Sequence, residues 1–261
     1  MYGASASSGA SILIKTQDEI SRMQDANRIV AHVLNSLSAV IEPGVSTYEL
    51  NRMAERMSSD MGAKPAFKGY RGFPSALCIS LNEEVVHGIP SKKRILQLGD
   101  VVSLDFGVLY RGFYGDSAVT VGVGDLSSHN QRLLQVTENS LLCGISNALP
   151  GNRVNDISKA IQECVEKESF SIVRDFVGHG IGRSLHEPPE VPNYVITNAP
   201  SPRLRPGMVL AIEPMVNGGG HKVRVLRDGW TVVTADGSRS AHFEHSVAIT
   251  EYGCQVLSAR D

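Results

Sequence analysis

Paired cysteines are missing from this chain: Cys78, Cys143, Cys164 and Cys254 are dispersed, with no Cys-x-x-Cys among them. That excludes a zinc ribbon and a dithiol redox motif, and four free thiols point to a protein of the reducing cytoplasm. Runs of one charge are missing too. The 25 basic and 27 acidic residues are interspersed for a net charge of -2, which leaves no electrostatic case for nucleic acid or an anionic membrane. No stretch has membrane-spanning length, and residues 1–10 lack the cationic start and apolar core of a signal peptide. There is no His-Glu-x-x-His, so a zincin is excluded. Gly178-x-Gly180-x-x-Arg183 breaks the dinucleotide fingerprint at its last glycine, and Gly218-Gly219-Gly220 has no strand-to-helix context. What remains is ordinary globular composition: 261 residues, 42% of them hydrophobic, suffice for one large core. A flexible tail over residues 1–12 and a single domain over residues 13–261 are expected.

The informative feature is a repeat. Leu98-Gly99-Asp100-Val101-Val102-Ser103-Leu104-Asp105 is answered by Pro206-Gly207-Met208-Val209-Leu210-Ala211-Ile212-Glu213, with Gly99 and Gly207, and likewise Asp105 and Glu213, 108 positions apart. Each copy is followed by a second carboxylate in a strand-like setting, Asp116 and then Glu244. The helices ahead of these strands repeat as well. Thr16 to Glu19 and Ser46 to Glu49 form capping boxes, and the apolar spacings Ile20, Met23, Ile29, Val30, Val33, Leu34, Leu37 and Leu50, Met53, Ala54, Met57 each mark one buried helix face, the second closed by Gly62. Pro43-Gly44 between those helices matches Pro150-Gly151, 107 positions on, between a helix over about 128–148 and another with Ile157, Ala160, Ile161 and Cys164 on one face. Helix, Pro-Gly, helix, strand, carboxylate, strand, carboxylate thus occurs twice, which argues duplication of a half. Segregated helices and hairpins predict an α+β fold with curved, mainly antiparallel sheet.

Burying four carboxylates in apolar strand sequence is costly unless cations neutralise them. Asp105 alternates away from Val102, Leu104, Phe106 and Val108, and a hairpin turning at Tyr110-Arg111 would set Asp105 directly opposite Asp116. Like charges across a ladder are destabilising unless a divalent ion lies between them. His179, in Gly178-His179-Gly180-Ile181-Gly182, is the natural nitrogen ligand. Five such donors suffice for two ions, and a carboxylate-rich set suits manganese, iron or cobalt, with zinc as a further candidate.

In their settings Leu-Asp-Phe, Gly-Asp-Ser, Gly-His-Gly-Ile-Gly, Ile-Glu-Pro-Met and Glu-His-Ser, Asp105, Asp116, His179, Glu213 and Glu244 resemble the ligand set of the type I methionine aminopeptidases, and the likeness runs from about Ile14 to the C-terminus. The resemblance implies a pita-bread fold, two pseudo-symmetric halves around a dinuclear metal centre. Asp116 and Glu244 would bridge both ions, Asp105 would complete one site, and His179 with Glu213 the other. His87, in Asn82-Glu83-Glu84-Val85-Val86-His87-Gly88-Ile89-Pro90, and His186, in Leu185-His186-Glu187-Pro188-Pro189, match the histidines that the family uses to hold and polarise the scissile peptide. Phe67, Tyr70, Phe73, Cys78, Leu185 and Trp230 would form the methionine pocket, a polarizable setting suited to a thioether, with Leu185 where relatives commonly carry an aromatic.

The implied activity is removal of the N-terminal methionine from nascent polypeptides by metal-activated water, preferably before a small second residue, with Glu213 as proton acceptor, His186 at the developing oxyanion and His87 at the peptide nitrogen. A cytoplasmic monomer that acts on nascent-chain N-termini and associates with the ribosome is the expected context. A Xaa-Pro aminopeptidase or prolidase shares the ligand pattern but usually carries an extra N-terminal domain. A peptide-binding relative without activity would lack ligands. His32, His129, His221, His242 and His245 are expected to be structural or surface residues.

Overall fold

A computed structural model describes residues 11–260. The expected tail therefore lies outside the described residues, apart from residues 11 and 12. Ile12 packs against the core of the second half.

Among the described residues four α-helices cover the sheet: α1 (Gln17–Ser38), α2 (Thr47–Asp60), α3 (Ser128–Ser146) and α4 (Val154–Lys167). Both expected capping boxes form. Thr16 and Ser46 accept from the amides of Glu19 and Glu49, whose carboxylates return to the capping residues' own amides. α4 begins similarly, the Asp156 carboxylate accepting from Arg153 N at 2.7 Å. The α1 face read from sequence is buried throughout; on α2, Leu50 and Ala54 are buried while Met53 and Met57 pack at the margin. In α4 the buried face includes Ile157 and Ile161 but runs on through Val154 and Val165, with Ala160 and Cys164 only half-buried.

The main sheet is antiparallel and runs, strand by strand, Lys64–Pro65, Val101–Tyr110, Phe113–Gly122, Glu244–Ile249, Val209–Ile212, Gly178–Gly180, Glu187–Val191. The duplicated pairs meet in the middle, where Glu244 faces Ala118 and His245 faces Ser117. Side chains tie this seam from both directions: the Ser117 hydroxyl donates to Glu244 O at 2.6 Å and the Ser246 hydroxyl to Asp116 O at 2.8 Å. Each half keeps its own core. Val102, Leu104, Phe106 and Val108 pack with α1 and α2, whereas Leu210, Ile212, Val247 and Ile249 pack with α3 and α4.

One register differs from the sequence expectation. The hairpin turns at Arg111-Gly112, so Tyr110 pairs with Phe113, Asp105 with Ala118 and Asp116 with Gly107. Both turn residues have positive φ, 48° and 85°, the geometry that matches the twist of a two-residue hairpin and that glycine favours at its second position. A shift by two positions leaves the alternation intact. Asp105 and Asp116 still share one face, diagonally instead of directly opposed. No helix among the described residues is long and apolar enough to cross a membrane.

Candidate metal centre and substrate pocket

The strand that carries Asp105 places it between Cys78 on one neighbour and Ala118 on the other, and Ala118 in turn faces Glu244. Asp116 lies one pleat away on the same strand as Ala118, its amide donating to Asn27 Oδ1 of α1 at 3.3 Å. Glu213 directly follows the strand Val209–Ile212, with its carbonyl fixed by Asn193 Nδ2 at 3.0 Å. His179 sits on a strand squeezed between two others. A Cβ at Gly178 would lie 2.3 Å from Ala211 O, and one at Gly180 2.3 Å from Pro188 O, so both positions flanking His179 need glycine.

The His179 ring is oriented by its backbone. Nδ1 lies 2.9 Å from Gly180 O, and a carbonyl oxygen only accepts, so Nδ1 carries the hydrogen and Nε2 keeps its lone pair. That nitrogen lies 3.5 Å from Glu213 Oε1. One ligand atom each from Asp116, His179 and Glu244 lies within 4.8 Å of the others, all three residues being buried.

Burial raises Asp116, Glu213 and Glu244 well above the usual carboxylate range, and their repulsion of one another and of Asp105 adds to it; burial holds Asp105 at about 7. Asp116 Oδ1 and Glu244 Oε1 are buried without a hydrogen-bond partner. Arg260 reaches Glu244 electrostatically but donates instead to the Ser117 hydroxyl at 2.8 Å. A cluster of repelling carboxylates with orphaned oxygens and a bare imidazole nitrogen fits divalent cations.

Above the cluster, both remaining sequence-expected histidines face the same cavity. The His186 ring lies 4.2 Å, centroid to centroid, from His179 at a tilt of 41°, and its Nδ1 is 2.9 Å from the Tyr70 hydroxyl. Burial lowers it to about 2, helped by the nearby cations of Arg71 and of the other histidines if protonated. His87 is edge-on to Phe176 and Trp230 at 5.6 and 6.3 Å, and burial lowers it to about 4. Phe67, Tyr70, Phe73, Cys78, Leu185 and Trp230 all line this cavity, Phe73 meeting Trp230 edge-on at 5.2 Å. Burial, then the fields of Asp105, Asp116 and Glu244, push the Cys78 thiol well above its usual value, which keeps it protonated and unsuited to nucleophilic attack.

Several cavity residues escaped the sequence reading, His242, Met215 and Phe176 among them. His242, expected to be structural or at the surface, is buried at the cavity wall with Nε2 3.7 Å from Glu213 Oε2. Met215 and Phe176 line the same wall. His242 stands two positions before Glu244 and Met215 two after Glu213, but each is on a separate short strand, so only nearness in sequence to the carboxylates pointed to them. His245, by contrast, turns away and meets the Ser258 hydroxyl at 2.9 Å, a structural contact as expected.

Comparison with known proteins decides the family. The model of metallopeptidase family M24 matches residues 21–251. The chain belongs to metallopeptidase family M24, with the methionine aminopeptidases. It is 52% identical to methionine aminopeptidase 1 of Bacillus subtilis over 95% of this chain and 99% of that one. The crystal structure of a methionine aminopeptidase from Thermotoga maritima superposes with a TM-score of 0.93 at 46% identity, covering 96% of this chain and all of the other. A prolidase from Pyrococcus furiosus shares the fold at a TM-score of 0.75 and 24% identity, with this chain spanning 66% of its length. The pita-bread architecture implied by the sequence is thus the M24 fold, and its duplicated halves are those read from the offset of 108.

Proposed function

We propose that this M24 metallopeptidase removes the N-terminal methionine from nascent polypeptides, preferably before a small second residue. The observation that carries the reading is the buried Asp116–His179–Glu244 cluster at the floor of a cavity of about 170 Å³ with aromatic and thiol walls. That volume is below the roughly 300–1,000 Å³ of pockets for drug-sized ligands, and it suits one side chain and a chain end.

Asp105, Asp116, His179, Glu213 and Glu244 would hold two divalent cations, iron, manganese, cobalt or zinc, with Asp116 and Glu244 shared between them. Bound there, the cations lower the pKa of water and neutralise charge that builds on the scissile carbonyl oxygen. The carboxylate floor draws in the free α-amine, and the closed end of the cavity confines cleavage to the first peptide bond. Glu213 is the proton acceptor, its carboxylate flanked by His179 Nε2 at 3.5 Å and His242 Nε2 at 3.7 Å.

His186 acts as a neutral donor. With the Tyr70 hydroxyl, 2.9 Å away, as donor to Nδ1, the ring's hydrogen sits on Nε2, where it would stabilise the developing oxyanion. His87, neutral and clamped by Phe176 and Trp230, contacts the peptide nitrogen. Phe67, Tyr70, Phe73, Cys78, Leu185 and Trp230 receive the methionine side chain; their apolar, polarizable surfaces favour a thioether. Phe176, Met215 and His242 crowd the same cavity, which supports the preference for a small second residue.

The test is metal-stripped protein reloaded anaerobically with iron or manganese and offered Met-Gly-x and x-Pro peptides. Release of methionine from the first alone is the expected result. Cleavage only of x-Pro peptides would move the chain to the prolidase reading, and no cleavage of either with two ions bound would make it a binding protein.

A further inference from the structure

Ahead of α1, a short strap of chain leaves the first half and seats on the second. The Lys15 amide donates to Gly207 O at 2.7 Å, and Ile12 packs against the second-half core. Repetition does not account for this strap. Gly99, the counterpart of Gly207, has nothing nearer its open side than Asp125 O at 4.0 Å. From the strap the Lys15 side chain runs inward to Glu187, Nζ to Oε2 at 2.6 Å, with the two side chains only 5% and 4% exposed. The other Glu187 oxygen accepts from Ser184 N at 3.0 Å. Gly182 gives the pair its room, since a Cβ there would lie 2.6 Å from Lys15 Cε and 2.8 Å from Glu187 Oε1.

A buried ion pair is poor value as a source of stability, because apolar residues of similar volume often serve as well. Its position is what distinguishes it. Glu187 is the residue after His186, and Ser184, held by the same carboxylate, is two before it. The Lys15–Glu187 contact therefore closes both ends of the loop that carries His186 and Leu185.

We infer that Lys15 and Glu187 are positioning residues for His186. The pair fixes the loop so that the His186 ring stays on the Tyr70 hydroxyl and 4.2 Å from His179. This rests on the role proposed for His186. Misplacement of a reacting group by about 1 Å costs about 10²-fold in rate.

The experiment uses the metal-loaded wild type, K15M, K15R, E187Q and K15M/E187Q on Met-Gly-x peptides, with bound metal per chain measured for each. K15M and E187Q are expected to lose about 10²-fold in kcat, with KM and metal content close to wild type and K15R recovering part of the loss. The double variant leaves no lone buried charge and replaces K15M if that protein does not fold; the same kcat loss is expected of it. In the metal-free proteins, the ¹⁵N shift of His186 Nδ1 is expected to move away from its hydrogen-bonded value. Wild-type kcat in the double variant, or an unmoved ¹⁵N shift, overturns the inference. If the wild type releases no methionine, the proposed function fails, and the ¹⁵N shift still decides whether the pair positions the ring.

Discussion

The two halves begin from one plan and part after the first carboxylate. In the first half Asp105 and Asp116 lie on neighbouring ten-residue strands joined by a two-residue turn. In the second, Glu213 follows a strand of four residues and Glu244 opens one of six, and the chain between them makes a long excursion that supplies Met215, Trp230 and His242 to the cavity. Ahead of Glu213 the second half carries His179 on a strand that pairs with Val209–Ile212, where the first half has Cys78 on a strand that pairs with Val101–Tyr110. One copy kept the hairpin as scaffold; the other opened it and gained nitrogen donors and walls. The division is chemical: the first half brings the carboxylates of Asp105 and Asp116 to the cavity, and every imidazole lining it except His87 comes from the second.

The sharpest way to break this comparison is to remove a ligand at the seam and one at the edge. With the two carboxylates shared as proposed, E244Q and D116N are expected to lose about 10³-fold or more in kcat/KM and to bind neither ion firmly. D105N should leave one ion bound, the one held by second-half residues. Metal titration read by calorimetry checks the stoichiometry, and one full-affinity ion retained in E244Q would contradict the shared role.

The second comparison separates holding metal from using it. H186A is expected to lower kcat by about 10²–10³-fold, the scale for removing one oxyanion donor, with both ions retained. H87A should behave similarly with a smaller loss. Loss of metal in either variant would contradict their assignment to the substrate.

The smallest effect is one of stability. In the metal-free protein Asp105 is raised to about 7 and Asp116, Glu213 and Glu244 well above the carboxylate range, chiefly by burial. Groups raised in this way stabilise the fold while protonated, and that contribution is lost as pH rises through the folded values. The imidazoles act on the other side. His87 and His179 are lowered to about 4 and His242 to about 3 by burial, so their contribution is present above the unfolded value of about 6.5 and is lost as pH falls. Below a pH of about 6.5 the two sets of groups oppose one another, and above it only the carboxylate loss remains. The Tm of metal-free protein is therefore expected to fall from a pH of about 6.5 towards alkaline pH, and saturating manganese is expected to abolish that fall. A scanning-calorimetry series with equal alkaline slopes in both forms would contradict the link between carboxylate repulsion and metal.

Much of this was legible in the sequence because it depends on local rules. The Thr16 and Ser46 caps, the α1 stripe and the alternation that put Asp105 opposite Phe106 are properties of a few neighbouring residues. The hairpin register was missed because it turns on the left-handed backbone of Arg111 and Gly112, which determines where a strand folds back but leaves no trace in hydrophobic pattern. His242 was not legible because it ends a separate short strand, Ser240–His242, and no continuous alternation ties it to Glu244. Lys15 and Glu187 are 172 positions apart, and no periodicity joins them.

The order in which the floor is assembled follows from the seam. Asp105 and Asp116 emerge early in synthesis, His179 and Glu213 later, and Glu244 last, on a strand that must slot between two already made. The residues of the first hairpin and of the helices are all synthesised before Glu244. Proteolytic power thus arrives only with the closing strand, and an interrupted product that stops short of Glu244 is a scaffold without a blade.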